Sequence, residues 1–318
     1  MRKISVIIPA RNVSKTLHNT FESVMDTLKK NKLDAKVFIV VNGSDDDTEQ
    51  IANKLVTSTN YRQCALLHSK PGKIEAQLTG LQQVGEEPVW FVDADCIVEQ
   101  KCPIILLNQL EKHAELIVAG GHPILHPSIN TNSPLAYLNL SRFFPETKIV
   151  TDVSYSPSII YSDPQPNISP EREEKLKPFF HGACFMLRNK KYIPNISPAG
   201  NIPDDIFWSE WILYNYGGVI RTMYNANVYI EPRKTPEELL NYRERIKRQI
   251  QLLEQTYPQY KQLEKAITTH RDREYIKTLS KEYQILFDAE IKIYSTHKPS
   301  QHIKWHGEHY DLERAITS

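Results

Sequence analysis

Dense apolar runs of four or five residues alternate with stretches in which apolar residues recur every three to four positions, and this alternation begins at the amino terminus. The runs at 4–8, 37–41, 64–67 and 89–92 are rich in Val, Ile and Leu, the composition of strands buried on both faces of a sheet. Between them the spacing predicts helices. Ser14 is placed to cap one carrying Leu17, Phe21, Val24, Met25 and Leu28 on one face, with Pro9 closing the strand before it. Asp45, Asp46 and Asp47 are placed to start a second helix at about 48–56, a third is expected at 73–84, and a further strand at 116–119. Such an order predicts an α/β fold with parallel strands joined by right-handed crossovers, and ligands bound beyond the carboxyl ends of the strands. The polar segments 9–12, 42–47 and 93–95 each follow a strand, so they are expected to converge in one crevice.

The pattern then changes. Between 122 and 180 prolines recur among Ser, Asn and Tyr, which reads as a long irregular insertion. Beyond 232 the chain turns charged and helical, with a stripe of Leu239, Tyr242, Ile246, Ile250 and Leu253 and a second helix expected at about 272–294. The 39 basic and 38 acidic residues nearly cancel, so any phosphate recognition must be local, and nucleic acid is not an expected partner. Cys64, Cys96, Cys102 and Cys184 lack CxxC spacing and read as reduced core residues. No run approaches the ~20 apolar residues of a membrane span. The expectation is a cytoplasmic protein, with contact at a membrane surface left open.

Candidate chemistry centres on Asp93-Ala94-Asp95, directly after the run 89–92. Two hard carboxylates one residue apart suit Mg²⁺ or Mn²⁺ and leave coordination positions for a diphosphate, whereas an isolated D-x-D triplet is equally a turn.

In combination, four segments resemble glycosyltransferase family 2, inverting enzymes of the GT-A fold. Residues 4–12, through Pro9, Ala10, Arg11 and Asn12, are similar to the family's opening strand and nucleotide-facing turn. Residues 40–48, with Asn42, Gly43 and Asp45, resemble the second strand and turn. Gly72 and Lys73, with the helix through Gly80, resemble the segment beside the donor phosphates, and Asp93, Ala94 and Asp95 sit at the metal motif. A looser match follows through 181–188, including Gly182, and through Asp204 and Asp205. The resemblance makes Asp205 the general base for the acceptor hydroxyl, although both acids also suit a helix start. Arg243, Arg245 and Arg248 fall where the family carries basic residues for the diphosphate, Arg245 being the one chosen here, and a solvated basic face is the alternative. Trp208, near Asp205, is placed on the acceptor side, with a packing role weighed evenly against it, and Trp211 in the core.

The match departs from the family at two places. Val41 and Asn42 stand where the family often has paired acids, which leaves the nucleotide open, since an amide offers both donor and acceptor. The family's late histidine ligand is missing, with Glu231 the candidate substitute. His302, His306 and His309 near the end have metal-like spacing if helical, but a docking segment is the preferred reading, and His122 and His126 receive no role.

The expected organisation is a GT-A-like domain at 1–232, its nucleotide-sugar half at 1–121 and acceptor half at 181–232, then a helical extension at 233–318. The resemblance implies a metal-dependent hexosyl- or N-acetylhexosaminyl-transferase using Mn²⁺ or Mg²⁺. Its donor would be a UDP-sugar, with GDP- or dTDP-sugars as alternatives, and its acceptor a glycan, lipid-linked sugar or protein. The rival readings are a non-catalytic binding protein of the same fold and a sugar-1-phosphate nucleotidyltransferase. The latter would need a glycine-rich loop that Pro9-Ala10-Arg11-Asn12 lacks.

Overall fold

The computed structural model describes residues 2–59, 61, 63–125, 180–198, 201–216, 219–230, 236–260, 303–305 and 308–310. The chain forms two compact units. The first comprises Met1–Ile124, Pro178–Ala199 and Asp204–Ile230, and the second comprises Leu125–Lys177, Gly200–Pro203 and Glu231–Ser318.

In the first unit the predicted alternation is observed: β1 (Lys3–Ala10), α1 (Leu17–Lys30), β2 (Asp34–Val41), α2 (Thr48–Ser58), β3 (Cys64–His68), α3 (Lys73–Gln82) and β4 (Val89–Val92). There follow β5 (Ile97–Val98), α4 (Cys102–Lys112), β6 (Leu116–Leu125), β7 (Cys184–Leu187), α5 (Asp204–Tyr216) and β8 (Val219–Ile230). The sheet order is β3-β2-β1-β4-β7-β6-β8-β5. Strands β3, β2, β1 and β4 are parallel, with Ile7 opposite both Phe38 of β2 and Phe91 of β4. Beyond β4 the sheet changes sense, because β7 pairs antiparallel with both β4 and β6.

Alternation along the strands divides the core. Ile4, Val6 and Ile8 face a cluster with Leu17, Phe21, Val24 and Leu28 of α1, Ala52 of α2 and Leu106 of α4. On the other face Ile7 meets α3 at Gly80, where a Cβ would lie 2.8 Å from the isoleucine side chain. That change of face follows from the order 3-2-1-4. Chain leaving β3 must pass β2 and β1 to reach β4, and a right-handed crossover in the reversed direction lies on the opposite face. The point of reversal, between β1 and β4, is where such sheets open a crevice at the strands' carboxyl ends.

Several local expectations are corrected. β1 runs through Pro9 to Ala10. Pairing with β4 covers only Ser5, Val6 and Ile7, so at Pro9 the strand is paired with β2 alone, where a residue without an N–H is tolerated. The N-cap of α1 is Thr16 rather than Ser14. The Ser14 N–H instead donates to Asp46 Oδ2 at 3.0 Å. The strand expected at 116–119 extends to Leu125, and α4 and β5 fall where the sequence reading assigned nothing. All four cysteines are free, with Cys96, Cys102 and Cys184 buried. Among the described residues no helix is long and apolar enough to cross a membrane.

In the second unit, α6 (Pro236–Thr256) is the expected first helix of the extension. The helix expected at 272–294 and nearly all of the 122–180 insertion lie outside the described residues, as do Glu231, His126, His302 and His306. The tail is not helical where it is described: β9 (Ile303–Trp305) and β10 (Glu308–Tyr310) form an antiparallel hairpin.

Candidate active site

The segments that follow β1 and β2 are laced together. Asn12, at φ 53°, donates its N–H to Ser44 Oγ at 3.1 Å, and its Oδ1 accepts the Asp45 N–H at 2.8 Å. The Val13 N–H donates to Thr48 Oγ1 at 2.8 Å. Asp46 accepts from Ser14 and Thr48, and although burial opposes ionisation, these hydrogen bonds hold its carboxyl below the usual range. Asn12 and Asp45 thus build the turn with side-chain and backbone groups that the sequence reading assigned to a nucleotide. Gly43 has φ 79°, and a Cβ there would fall 2.9 Å from Pro71 Cγ, so the second turn needs glycine. Asn42 is 3 % exposed. Its Nδ2 donates to the Gly72 carbonyl at 2.9 Å, while its Oδ1 is buried with no hydrogen-bond partner among the described residues.

A charged cluster lies across the crevice. Lys73 opens α3 after Gly72, whose φ of 133° and ψ of 135° suit glycine alone. The Lys73 Nζ sits 2.7 Å from Asp93 Oδ1 and 2.9 Å from Oδ2. It also lies 3.2 Å from both Asp204 Oδ2 and the Gly182 carbonyl. Asp204 and Asp205 open α5, and Asp205 Oδ2 accepts the Gly182 N–H at 3.2 Å. Gly182 is therefore the hub: a Cβ on it would come within 3.0 Å of Lys73 Nζ and 3.2 Å of Asp204 Oδ1. The Asp93-Ala94-Asp95 turn is held by the Asp93 N–H on the Ala183 carbonyl at 2.9 Å and by Thr16 Oγ1 on the Ala94 carbonyl at 2.9 Å.

One ammonium serves several carboxylates. Burial disfavours the charged Lys73, but Asp204 and Asp93 more than compensate and hold it firmly protonated. Burial pushes Asp93 up to about 7, Lys73 opposing and the Asp95 and Asp204 charges adding to the rise. Burial likewise raises Asp204, against Lys73 and with Asp205. The two directions agree physically, because a single cation cannot neutralise Asp93, Asp95, Asp204 and Asp205 together. The excess negative charge suits a further cation. Among the described residues no three His, Cys, Asp or Glu side chains are gathered to hold a metal. The donor set of Asp93 and Asp95 still fits Mg²⁺ or Mn²⁺ in the mode where one or two carboxylates bind the ion and substrate phosphates and water complete the shell.

The structure thus brings Gly72, Lys73, Asp93, Ala94, Asp95, Gly182, Asp204 and Asp205 together, with Asn42 reaching them through Gly72. Arg245 lies in the second unit on α6, its guanidinium 5.2 Å from the Tyr242 ring centre. Trp208, expected on the acceptor side, is corrected: it is 0 % exposed, and its Nε1 donates to Gln77 Oε1, so it offers no platform. Gln77 and Thr16 were missed. Gln77 falls one turn after Lys73, among the positions at which the helix also buries Ile74, Ala76 and Leu78, and that spacing was the available signal for it. A hollow of about 400 Å³, lined by Arg2, Glu86, Pro88, Leu110, Glu111 and Arg188 among others, opens at the opposite, amino ends of β1 and β4.

A family model described as glycosyl transferase family 2 matches residues 5–193, more than half of the chain. Among relatives, the poly-beta-1,6-N-acetyl-D-glucosamine synthase of Staphylococcus epidermidis is 26% identical over 120 residues, 38% of this chain and 28% of that protein. The synthase of the same name from Staphylococcus aureus strain N315 is 27% identical over the same shares. The chain therefore matches little more than a quarter of the length of these relatives. Among solved structures, glucosyl-3-phosphoglycerate synthase from Mycobacterium tuberculosis in complex with Mg²⁺ and UDP is 17% identical. It covers 80% of this chain and 79% of that one, with a TM-score of 0.45. The same enzyme with Mn²⁺, UDP and glucosyl-3-phosphoglycerate is 18% identical, covering 80% of each chain, with a TM-score of 0.45.

Proposed function

The chain belongs to glycosyltransferase family 2, and from that premise we propose that it transfers a hexosyl or N-acetylhexosaminyl group from a UDP-sugar to an acceptor hydroxyl, with inversion. The observation that carries the reading is the cluster in which Lys73 bridges Asp93 and Asp204 while Asp205 stands beside them on Gly182.

Each residue has a task that its surroundings support. Asp205 takes the proton of the acceptor hydroxyl as that oxygen attacks the anomeric carbon and the bond to the diphosphate breaks. Its Oδ1 accepts the Ile206 N–H at 2.9 Å and its Oδ2 the Gly182 N–H at 3.2 Å, which hold the carboxylate at the start of α5. Lys73 supplies positive charge to the departing diphosphate. Asp93 and Asp95 would hold Mn²⁺ or Mg²⁺, which when bound would supply further positive charge to the same leaving group. Asn42 reads the base: with its Nδ2 held by Gly72, its buried Oδ1 is an acceptor awaiting an N–H, which the imide of uracil or the N1–H of guanine provides and cytosine N3 does not. Leaving such an acceptor unpaired costs about 1–3 kcal/mol, so a base that fills it gains specificity.

The test is calorimetric titration of UDP, GDP, CDP and dTDP with Mn²⁺, Mg²⁺ or EDTA, alongside release of UDP from UDP-glucose and UDP-N-acetylglucosamine with a panel of acceptors. Metal-dependent binding of UDP over CDP is expected. Asp205→Asn should abolish UDP release while leaving Mn²⁺–UDP affinity within about twofold. Unimpaired release by that variant would remove Asp205 from the role of base.

A further inference from the structure

Thr16 stands at the N-cap of α1 without capping it. A threonine there ordinarily turns its hydroxyl oxygen to an N–H of the first turn, but the Thr16 side chain makes no such bond, and its backbone has φ −116° and ψ −29°. The hydroxyl is a donor instead. Two carbonyls are within its reach, Val13 at 3.4 Å and Ala94 at 2.9 Å. The Val13 oxygen already accepts the Thr16 and Leu17 N–H groups at 3.0 and 2.9 Å, which occupy both of its lone pairs. The one hydroxyl proton therefore goes to Ala94, a residue 3 % exposed and so poorly placed to take water in exchange.

Holding the Ala94 carbonyl fixes more than one atom. A peptide unit is planar, so this oxygen sets the plane that also carries the Asp95 nitrogen. From the other side, the Asp93 nitrogen is held by the Ala183 carbonyl at 2.9 Å. The turn is thus gripped at both ends, ahead of Asp93 by the residue before β7 and ahead of Asp95 by the residue before α1. Thr16 also completes a series, since Val13 and Ser14 give their N–H groups to Thr48 Oγ1 and Asp46 Oδ2 on the neighbouring turn. Resting on the reading of Asp93 and Asp95 as ligands of Mn²⁺ or Mg²⁺, we infer that Thr16 is a positioning residue that sets the metal-binding turn against the nucleotide-facing one. Its hydroxyl serves the placing of Asp95 rather than the start of α1.

The inference is tested on the full chain by residue-resolved amide hydrogen exchange, together with calorimetric titration of Mn²⁺ into the UDP-bound protein and of UDP in EDTA. The Cys96 N–H crosses the turn to the Asp93 carbonyl at 3.2 Å and reports its opening, whereas the Thr20 N–H on the Thr16 carbonyl at 3.1 Å reports the start of α1. Thr16→Val keeps the branched shape and removes the donor. It should speed exchange at Cys96 about threefold to tenfold, the value of one neutral hydrogen bond, and weaken Mn²⁺ binding by a similar factor. Thr20 exchange and UDP affinity in EDTA should stay within about twofold of wild type, because the hydroxyl caps nothing and the bonds to Thr48 and Asp46 remain. Thr16→Ser, which keeps the hydroxyl, should return Cys96 exchange and Mn²⁺ affinity to wild-type values. Wild-type Cys96 exchange in Thr16→Val, an equal acceleration at Thr20 of the kind a lost cap gives, or a Thr16→Ser protein as impaired as Thr16→Val would overturn the inference. So would faster Cys96 exchange that leaves a measurable Mn²⁺ affinity unchanged. Faster Cys96 exchange in Thr16→Val, where UDP binding by the wild type has no Mn²⁺ dependence, would uphold the brace of Thr16 on the turn and remove the metal-site reading instead.

Discussion

Gly182 and Gly80 both lack room for a methyl group, but for different reasons, and replacing each by alanine separates the site from the fold. At Gly182 an added Cβ meets Lys73 Nζ at 3.0 Å and the Asp204 carboxylate at 3.2 and 3.3 Å. These are the far ends of side chains that are 28% and 10% exposed, so they can give by a few tenths of an ångström. Gly182→Ala should therefore cost at most about 1 kcal/mol of stability. It should cost far more in function, because the same small displacement parts Lys73 from Asp93 and Asp204. A 1 Å misplacement is worth about a hundredfold, so about tenfold is expected here in Mn²⁺–UDP affinity and in UDP release. At Gly80 the Cβ meets three atoms of Ile7 at 2.8 to 2.9 Å, and Ile7 is fully buried between α3 and the sheet. Overpacking there should cost about 1–3 kcal/mol, which lowers the melting temperature by about 2–4 °C per kcal/mol, while each folded molecule still binds Mn²⁺–UDP normally. Urea denaturation followed by calorimetry on both variants makes the comparison. Wild-type binding by Gly182→Ala, or lost binding by a Gly80→Ala protein of undiminished stability, would refute the assignment of Gly182 to the hub of the site.

Asn42→Leu should weaken UDP about threefold to tenfold, the value of one neutral hydrogen bond. UDP methylated at N3 should bind the wild type as poorly as UDP binds the variant, and equal binding of both nucleotides by wild type would exclude Asn42 as the base reader. Acidity should matter earlier than for an ordinary aspartate. Because Asp93 is pushed up to about 7, protons compete with the cation from that pH downward. Mn²⁺–UDP affinity, followed by titration between pH 5.5 and 8.5, should thus be level above about 7.5 and fall toward tenfold per unit below 7. A flat profile to pH 5.5 would show that Asp93 need not be ionised for binding.

Much of the parallel half of the sheet was legible in the chain itself. Runs such as Val37, Phe38, Ile39, Val40 and Val41 have no polar face to offer water, and the polar residues that follow each run had to gather at one end of a parallel sheet. That logic put Asp93 and Asp95 at the crevice end of the sheet, while Lys73, Gly182 and Asp205 came from the family resemblance, and the structure brings Lys73 onto Asp93. It failed where a local pattern is shared by different partners. A four-residue apolar run such as Cys184–Leu187 pairs equally well in either sense, and only its place between β4 and β6 made it antiparallel. Trp208 looks the same in sequence whether it faces water or the core, and the Gln77 amide across from it decided the matter. The residue order by itself determined which side chains stand at strand ends and helix starts, because periodicity and capping act within a few residues. Only the tertiary structure decided which of those charges meet: Lys73 and Asp204 are 131 positions apart along the chain, and no local signal encodes an ion pair closed by packing.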